Sequence, residues 1–228
     1  MRRYQPVVAL VIGLWLSVMA GRAQAEPQVA GYVTRVRGEV VVEAAAGRQS
    51  LALGHALHLG ARVITGADAR LEARMKDGAV LTLSARTEFV IQDVANATPN
   101  SDGSNFELLK GAFRAITAHT DSSGAGWQGA QSHPAPGTQT WQVRTPVAII
   151  GVRGTELWGG FNLLDSGANT LDVVMLEGKG VYVENASGVT ELKQGGDGTT
   201  VKGSGVAPAP IKVWGEKKLQ AALQTVAW

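Results

Sequence analysis

From Tyr32 onward, apolar and polar residues alternate in short runs broken by glycine. "GYVTRVRGEVVVEA" (31–44) alternates on either side of Gly38, and "ARVITGADARLEARMKDGAVLTLSARTEFVIQDV" (61–94) reads as four strands. Successive strand side chains point to opposite faces. "RLEARM" (70–75) and "AVLTLS" (79–84) therefore each turn one face to a core and the other to water. Between them, Asp77-Gly78 predicts a tight hairpin, because glycine accepts positive φ. Further strand-like runs are "NFELLKGAFRAITA" (105–118), "TWQVRT" (140–145), "LDVVMLEGKGVYVEN" (171–185) and "VTELKQ" (189–194). No sustained helical period interrupts them, so the expected fold is all-β and short-stranded.

Glycine makes up 29 of 228 residues without a collagen period, which predicts many sharp turns. A weak internal echo runs through "VTRVRGEVVV", "FELLKGAFRAI" and "VVMLEGKGVYV", where an apolar strand enters a glycine and leaves as another strand. Gly38, Gly111 and Gly178 are 73 and 67 residues apart, too irregular for a repeat array. The echo predicts one strand–corner–strand device used three times.

Two stretches read as loops: turn-rich 96–105, and polar, glycine-rich 119–139, expected to be a mobile excursion. A partner contact through Trp127 is the alternative for the second. Residues 204–228 differ from the body. After Pro208 and Pro210, Leu219, Leu223 and Val226 form one stripe on a short C-terminal helix. So short a helix is marginal alone, so docking on the β-body is expected, with docking on a partner as the alternative.

The first 25 residues change the charge picture. "MRRYQP" is basic, "VVALVIGLWLSVMA" is an apolar run of fourteen, and "AQA" (23–25) has the small residues of a cleavage site. This predicts a signal peptide cut after Ala25, since the run is short of the roughly 20 residues of a spanning helix. Cleavage removes Arg2, Arg3 and Arg22, leaving 18 Lys and Arg against 19 Asp and Glu, so the net charge goes from +2 to −1. Bulk charge then gives no case for a nucleic-acid partner. The chain has no cysteine, which excludes disulfides and a lipid-bearing cysteine. The expected layout is a signal peptide at 1–25, a β-domain over 26–203, and a linker with helix over 204–228. The expected location is periplasmic or secreted.

Catalytic signatures are sparse. G-x-S-x-G, H-E-x-x-H and a phosphate loop are absent. His55 and His58 in "GHALHLG" would share a helix face, but the flanking glycines favour a turn over a metal site. "GGDGTT" (195–200) lacks a lysine and a following helix, so it reads as a turn. Asp77 and Glu156 have no sequence partner that would make a carboxylate dyad. Neither an enzyme, a metal nor a cofactor is expected.

"TPVAIIGVRGTELW" (145–158) is the most informative stretch. Pro146 is expected to start a covered central strand that is apolar on both faces. Gly151 and Gly154 are expected to permit bends around Arg153. A charge in that setting must be paired or reach water. Arg153 reads as a corner lock, with Glu156, Asp165 and Asp172 as candidate partners; the alternative is an anion- or peptide-binding arginine. Trp141, Trp158 and Tyr182 read either as core or as an exposed aromatic platform.

The run Thr145, Pro146, Gly151, Arg153, Gly154, Thr155, Glu156 resembles the T-P-x-A-x-x-G-V-R-G-T-E-[FL] hallmark of the FecR domain family, with Leu157 in the final position. "GYVTRVRGEVVVE" resembles the family's opening strands. Gly60, Ile64, Thr65, Gly66, Asp77 and Gly78 resemble its central section, and "LLKGAFR" and "VVMLEGKGVYV" two later strand pairs. The resemblance spans roughly 31–202. It implies an all-β periplasmic module, coiled or solenoid-like, without known catalysis. The namesake is an inner-membrane regulator relaying a signal from an outer-membrane siderophore receptor to a cytoplasmic sigma factor. Here a cleavable signal is expected in place of the anti-sigma segment and internal membrane helix, and a receptor-binding α/β domain is not expected in the residues after 202. The implied role is a free-standing binding or scaffolding module in envelope sensing. Its partner would be an envelope or membrane protein, without direct sigma-factor contact. Trp127 and Trp158 are the candidate partner contacts; a glycan- or peptidoglycan-binding module, with Trp141, Trp158 and Tyr182 as its candidate aromatic platform, is the alternative.

Overall fold

Alternation along the chain becomes two sheets because most strands have at least one apolar face to bury. The structure, a computed structural model, describes residues 28–45, 47–98, 103–117, 140–164 and 169–228. The signal-peptide reading, the 119–139 loop with Trp127, and Asp165 lie outside the described residues.

The chain passes back and forth between the sheets. β1 (Val29–Arg37) lies in the first sheet, β2 (Val40–Ala44) and β3 (Gly47–Ser50) in the second, and β4 (Ala56–His58) in the first. β5 (Arg62–Thr65) returns to the second sheet, and β6 (Arg70–Met75) and β7 (Val80–Leu83) form a hairpin in the first. β8 (Glu88–Asp93) and β9 (Gly103–Lys110) belong to the second, β10 (Ala112–Ile116) to the first, and β11 (Thr140–Arg144) and β12 (Ile149–Val152) to the second. β13 (Thr155–Phe161) and β14 (Leu171–Gly178) pair in the first, β15 (Val181–Asn185) and β16 (Gly188–Leu192) in the second. β17 (Asp197–Val201) and β18 (Lys212–Val213) end the first sheet, before α1 (Glu216–Val226). The orders are β18-β17-β14-β13-β10-β7-β6-β1-β4 and β16-β15-β12-β11-β9-β8-β5-β2-β3. Pairing is antiparallel except between β9 and β11.

The all-β expectation with a short C-terminal helix holds, as do the four strands of 61–94 and the Asp77-Gly78 turn, where Asp77 Oδ1 accepts the Ala79 N–H at 2.9 Å. The architecture is two nine-stranded sheets and not a closed barrel; this strand order does not establish a coiled or solenoid description.

The glycine echo has a structural counterpart. Gly38, Gly111 and Gly178 have φ of 71°, 84° and 122°, and each sits where the chain leaves one sheet for the other: β1 to β2, β9 to β10, β14 to β15. Two of these corners press on a threonine. A Cβ at Gly111 would lie 2.3 Å from Thr87 Oγ1, and one at Gly178 2.5 Å from Thr155 Cα. Positive φ and close approach together leave no room for another residue.

The main core draws on residues of both sheets. Phe89, Phe106, Phe113 and Trp141 sit at its centre, with ring centroids 5.5 Å apart for Phe89–Phe106 and 4.9 Å for Phe106–Trp141. A second, smaller core lies beneath α1, where Trp158, Val174, Trp214, Ala222 and Val226 pack together. The helix is thus docked on its own β-body. The Trp158 indole donates to Thr225 Oγ1 at 2.9 Å, and Lys218 Nζ donates to Asp172 Oδ1 at 2.6 Å. The linker before it is fastened to the sheets: Asn185 Nδ2 donates to the Val206 carbonyl, and Thr199 Oγ1 to that of Ala209.

Candidate functional site

The 145–156 segment first makes a turn. Thr145 Oγ1 accepts the N–H groups of Val147 and Ala148 at 3.3 and 3.0 Å and donates to the Ala148 carbonyl at 2.8 Å. A hydroxyl that closes a turn on its own backbone competes with strand pairing. This corrects one expectation: Pro146 lies in the turn, and β12 begins only at Ile149. The strand is then central, as expected, between β11 and β15.

Gly151 lies inside β12, directly opposite Tyr182 on β15. A Cβ at Gly151 would fall 1.8 Å from two carbons of the Tyr182 ring. The glycine is therefore required by a neighbour's side chain rather than by a bend. Gly154 does serve a bend, with φ of 52°.

The corner between β12 and β13 is held by main chain and hydroxyls. The Arg153 N–H donates to the Gly180 carbonyl at 3.2 Å. Thr155 Oγ1 lies 2.7 Å from the Arg153 carbonyl and 3.0 Å from that of Gly180, and accepts the Gly180 N–H at 3.1 Å. From the other side, Thr117 Oγ1 accepts the Thr155 N–H at 2.8 Å and donates to the Thr155 carbonyl at 3.0 Å. Thr155 is 1% exposed, so these contacts replace water at its N–H, carbonyl and hydroxyl. Glu156 binds Arg114, whose Nε and Nη2 donate to Oε1 at 2.9 and 2.6 Å. Asp172 binds Lys218 and Thr200. The two described carboxylates expected to partner Arg153 are thus bound by Arg114 and Lys218, and the corner's hydrogen bonds converge on Thr155.

The Arg153 side chain lines a cleft of about 390 Å³ with Lys179, Gly180, Tyr182, Glu191 and Lys193. Lys193 Nζ lies 3.6 Å from Glu191 Oε2. Burial pushes the Tyr182 phenol up to about 12, and the nearby Glu184 charge adds to the effect. The phenol therefore stays protonated, able to donate, at any physiological pH. Cations and a neutral phenol can hold an anionic or polar group. Lys179 and Lys193 escaped the sequence reading because they come from separate strand ends; the G-K-G of the third glycine corner was the only signal for Lys179.

Other candidates fall elsewhere. Trp158 is 0% exposed beneath α1 and Trp141 is 7% exposed in the main core, so neither presents a ring to solvent; the expectation of Trp158 as a surface contact is corrected by the helix that covers it. His55 lies in a turn, its Nδ1 facing the Ala52 N–H at 3.3 Å, and His58 ends β4. In 195–200, Asp197 Oδ2 accepts the N–H groups of Lys193 and Gln194, closing the turn into β17. Among the described residues, no group of three or more His, Cys, Asp or Glu side chains could hold a metal ion, and no helix is long and apolar enough to cross a membrane.

The family described as FecR protein matches residues 61–179, 119 of the 228 positions, a span that encloses the 145–156 segment. Two crystal structures of a candidate anti-sigma factor from Parabacteroides distasonis, at 1.65 and 2.50 Å resolution, are similar in fold. Each is 16% identical, with a TM-score of 0.52, over 72% of this chain and 64% of that one. The similarity thus spans somewhat under two thirds of that protein. No curated protein matches the chain.

Proposed function

The chain belongs to the FecR protein family, and on that premise we propose that it is a non-catalytic binding or scaffolding module in envelope sensing and signal relay. It acts in the periplasm once residues 1–25 are removed. Its partner is an envelope or membrane protein; sigma-factor contact, nucleic acid and cofactors are not part of this reading.

The observation that carries the reading is the use made of the family's most specific segment. Three of its polar side chains are spent on a turn at Thr145, a corner at Thr155 and a cross-strand pair at Glu156. Such a segment builds a rigid surface. The fold shared with a candidate anti-sigma factor supports a regulatory setting. The glycan alternative is weakened because Trp141 and Trp158 are buried, leaving Tyr182 as the half-buried ring of the three.

Affinity capture with the exported chain tests the proposal. One envelope protein should be retained reproducibly, survive purification of the pair, and be competed by free chain. Co-sedimentation with purified cell wall, in the absence of any such protein, would establish the glycan alternative instead. The recovered chain should begin at Glu26 by N-terminal sequencing; a retained leader would refute the assigned location.

A further inference from the structure

We propose that the outer face of β1 and β6 is a docking surface for an anionic lipid membrane, with headgroup phosphates meeting Arg35, Arg37, Arg70 and Arg74. Alternation assembles this face. On β6, Leu71, Ala73 and Met75 are buried, so Arg70, Glu72 and Arg74 point outward. On β1, Val36 packs on the core between the exposed Arg35 and Arg37. The register sets Tyr32 against Arg74, Arg35 against Glu72 and Arg37 against Arg70. Cross-strand neighbours share a face, so four guanidinium groups gather on two adjacent strands. Glu72 is the one carboxylate among these six positions, and its Oε1 accepts the Thr34 hydroxyl at 2.9 Å. Asp68 adds a second negative charge near Arg70, so four cations stand against two carboxylates.

The other half of the same sheet face is built differently. There α1 covers Trp158 and Val174, and the charges are paired, Arg114 with Glu156 and Lys218 with Asp172. On the β1–β6 half, Arg70 is held by donation from Nη1 to the Ala69 carbonyl at 2.8 Å. Among the described residues, the exposed Arg37 and Arg74 side chains make no hydrogen bond or ion pair. Like charges directly opposite one another repel, as Arg37 and Arg70 do. Burial and the Arg37 charge push the Arg70 guanidinium below its ordinary value, and Asp68 offsets them only in part. External phosphates relieve that repulsion and suit the guanidinium fork. Two aromatic rings border the arginines. Tyr32 is 47% exposed, and Trp228 is 37% exposed with its ring centre 4.1 Å from the Arg35 guanidinium carbon. Rings of this kind, apolar with a polar tip, favour the boundary between lipid and water. Outward positions on one strand recur about every 7 Å, so the arginines are spread over a surface and match a plane of many phosphates better than one small anion. The inference goes beyond the signalling proposal and does not depend on it: membrane binding can be present or absent whether or not an envelope protein is captured.

Flotation of the exported chain with phosphatidylcholine vesicles, with and without phosphatidylglycerol, tests it. Binding is expected only when phosphatidylglycerol is present, and high salt should release it. The double variant Arg37→Gln/Arg74→Gln should melt like the parent, since both side chains are exposed and unpaired among the described residues, and bind at least about tenfold more weakly. Lys202→Gln/Lys212→Gln removes the same charge at the opposite edge of the sheet and should bind like the parent. Equal binding to neutral vesicles, no binding to either kind, parent-like binding by the arginine variant, or an equal loss in the lysine variant overturns the proposal. Capture of the parent on immobilised poly-glutamate, with both kinds of vesicle left unbound, also overturns it and assigns an acidic polymer to this face.

Discussion

The ring of Tyr182 on β15 lies across Gly151 on β12, so close that a methyl group at Gly151 would sit 1.8 Å from two ring carbons and 2.3 Å from the phenol oxygen. Any side chain at Gly151 must push the ring aside. Gly151→Ala should therefore cost about 1–3 kcal/mol, the range for overpacking a close contact. Tyr182→Ala in the same chain should recover most of that loss. Denaturant melts of the two single variants and the double variant measure the coupling; additive losses would show that the ring is not the cause.

Thr155 separates hydroxyl from volume. Thr155→Val keeps the shape but removes the acceptor of the Gly180 N–H and the donor to the neighbouring carbonyls. A buried polar group left unpaired costs about 1–3 kcal/mol. Thr155→Ser keeps the hydroxyl and loses one methyl, costing about 1 kcal/mol. The valine variant should accordingly melt at lower denaturant than the serine variant; the reverse order would mean that packing, and not hydrogen bonding, holds the corner.

How far the sequence could be read follows from which contacts are local. Alternation and the Asp77-Gly78 turn depend on neighbours in the chain, and both gave strands that the structure contains. The three echoed glycines were legible because each corner carries its own signal, positive φ, at one position. Glu156 was different. Its register opposite Ile116 on β10 brings it to Arg114, 42 residues away, and no local pattern reveals which strand lies next to β13. Trp158 was ambiguous for the same reason, because its cover is a helix 58 residues further on. The cleft combines three strand ends, so only the sheet order could assemble it.

Tyr182 should also report on pH. Its folded pKa, about 12, lies above the ordinary tyrosine value of 10.0 because burial and Glu184 oppose the charged phenolate. The folded state therefore keeps its proton where the unfolded state has lost it. The resulting contribution to stability is complete below about pH 10 and is lost as pH rises towards 12. Tyr182→Phe should abolish this component. Denaturant melts at pH 9, 10 and 11 check the sign: the parent should lose more stability across that range than the phenylalanine variant.

The helix is anchored at its start by a charge pair whose two halves differ in exposure. Asp172 is 0% exposed, whereas the Lys218 side chain is 26% exposed, and Lys218 Nζ also sits 4.2 Å from the centre of the Trp214 ring. Removing the cation strands a buried carboxylate, leaving the Thr200 hydroxyl, 2.6 Å from Oδ1, as a neutral neighbour. Breaking a buried pair from one side costs about 3–5 kcal/mol, whereas replacing both partners by neutral groups can cost far less. Lys218→Met should therefore be strongly destabilising, and Asp172→Asn added to it should restore part of the loss. Loss of the helix would uncover Trp158, so its fluorescence should shift to the red in Lys218→Met before the main unfolding transition. Lys218→Met melting like the parent, with its tryptophan spectrum unchanged, would show that apolar packing at Trp214, Ala222 and Val226 holds the helix without the pair.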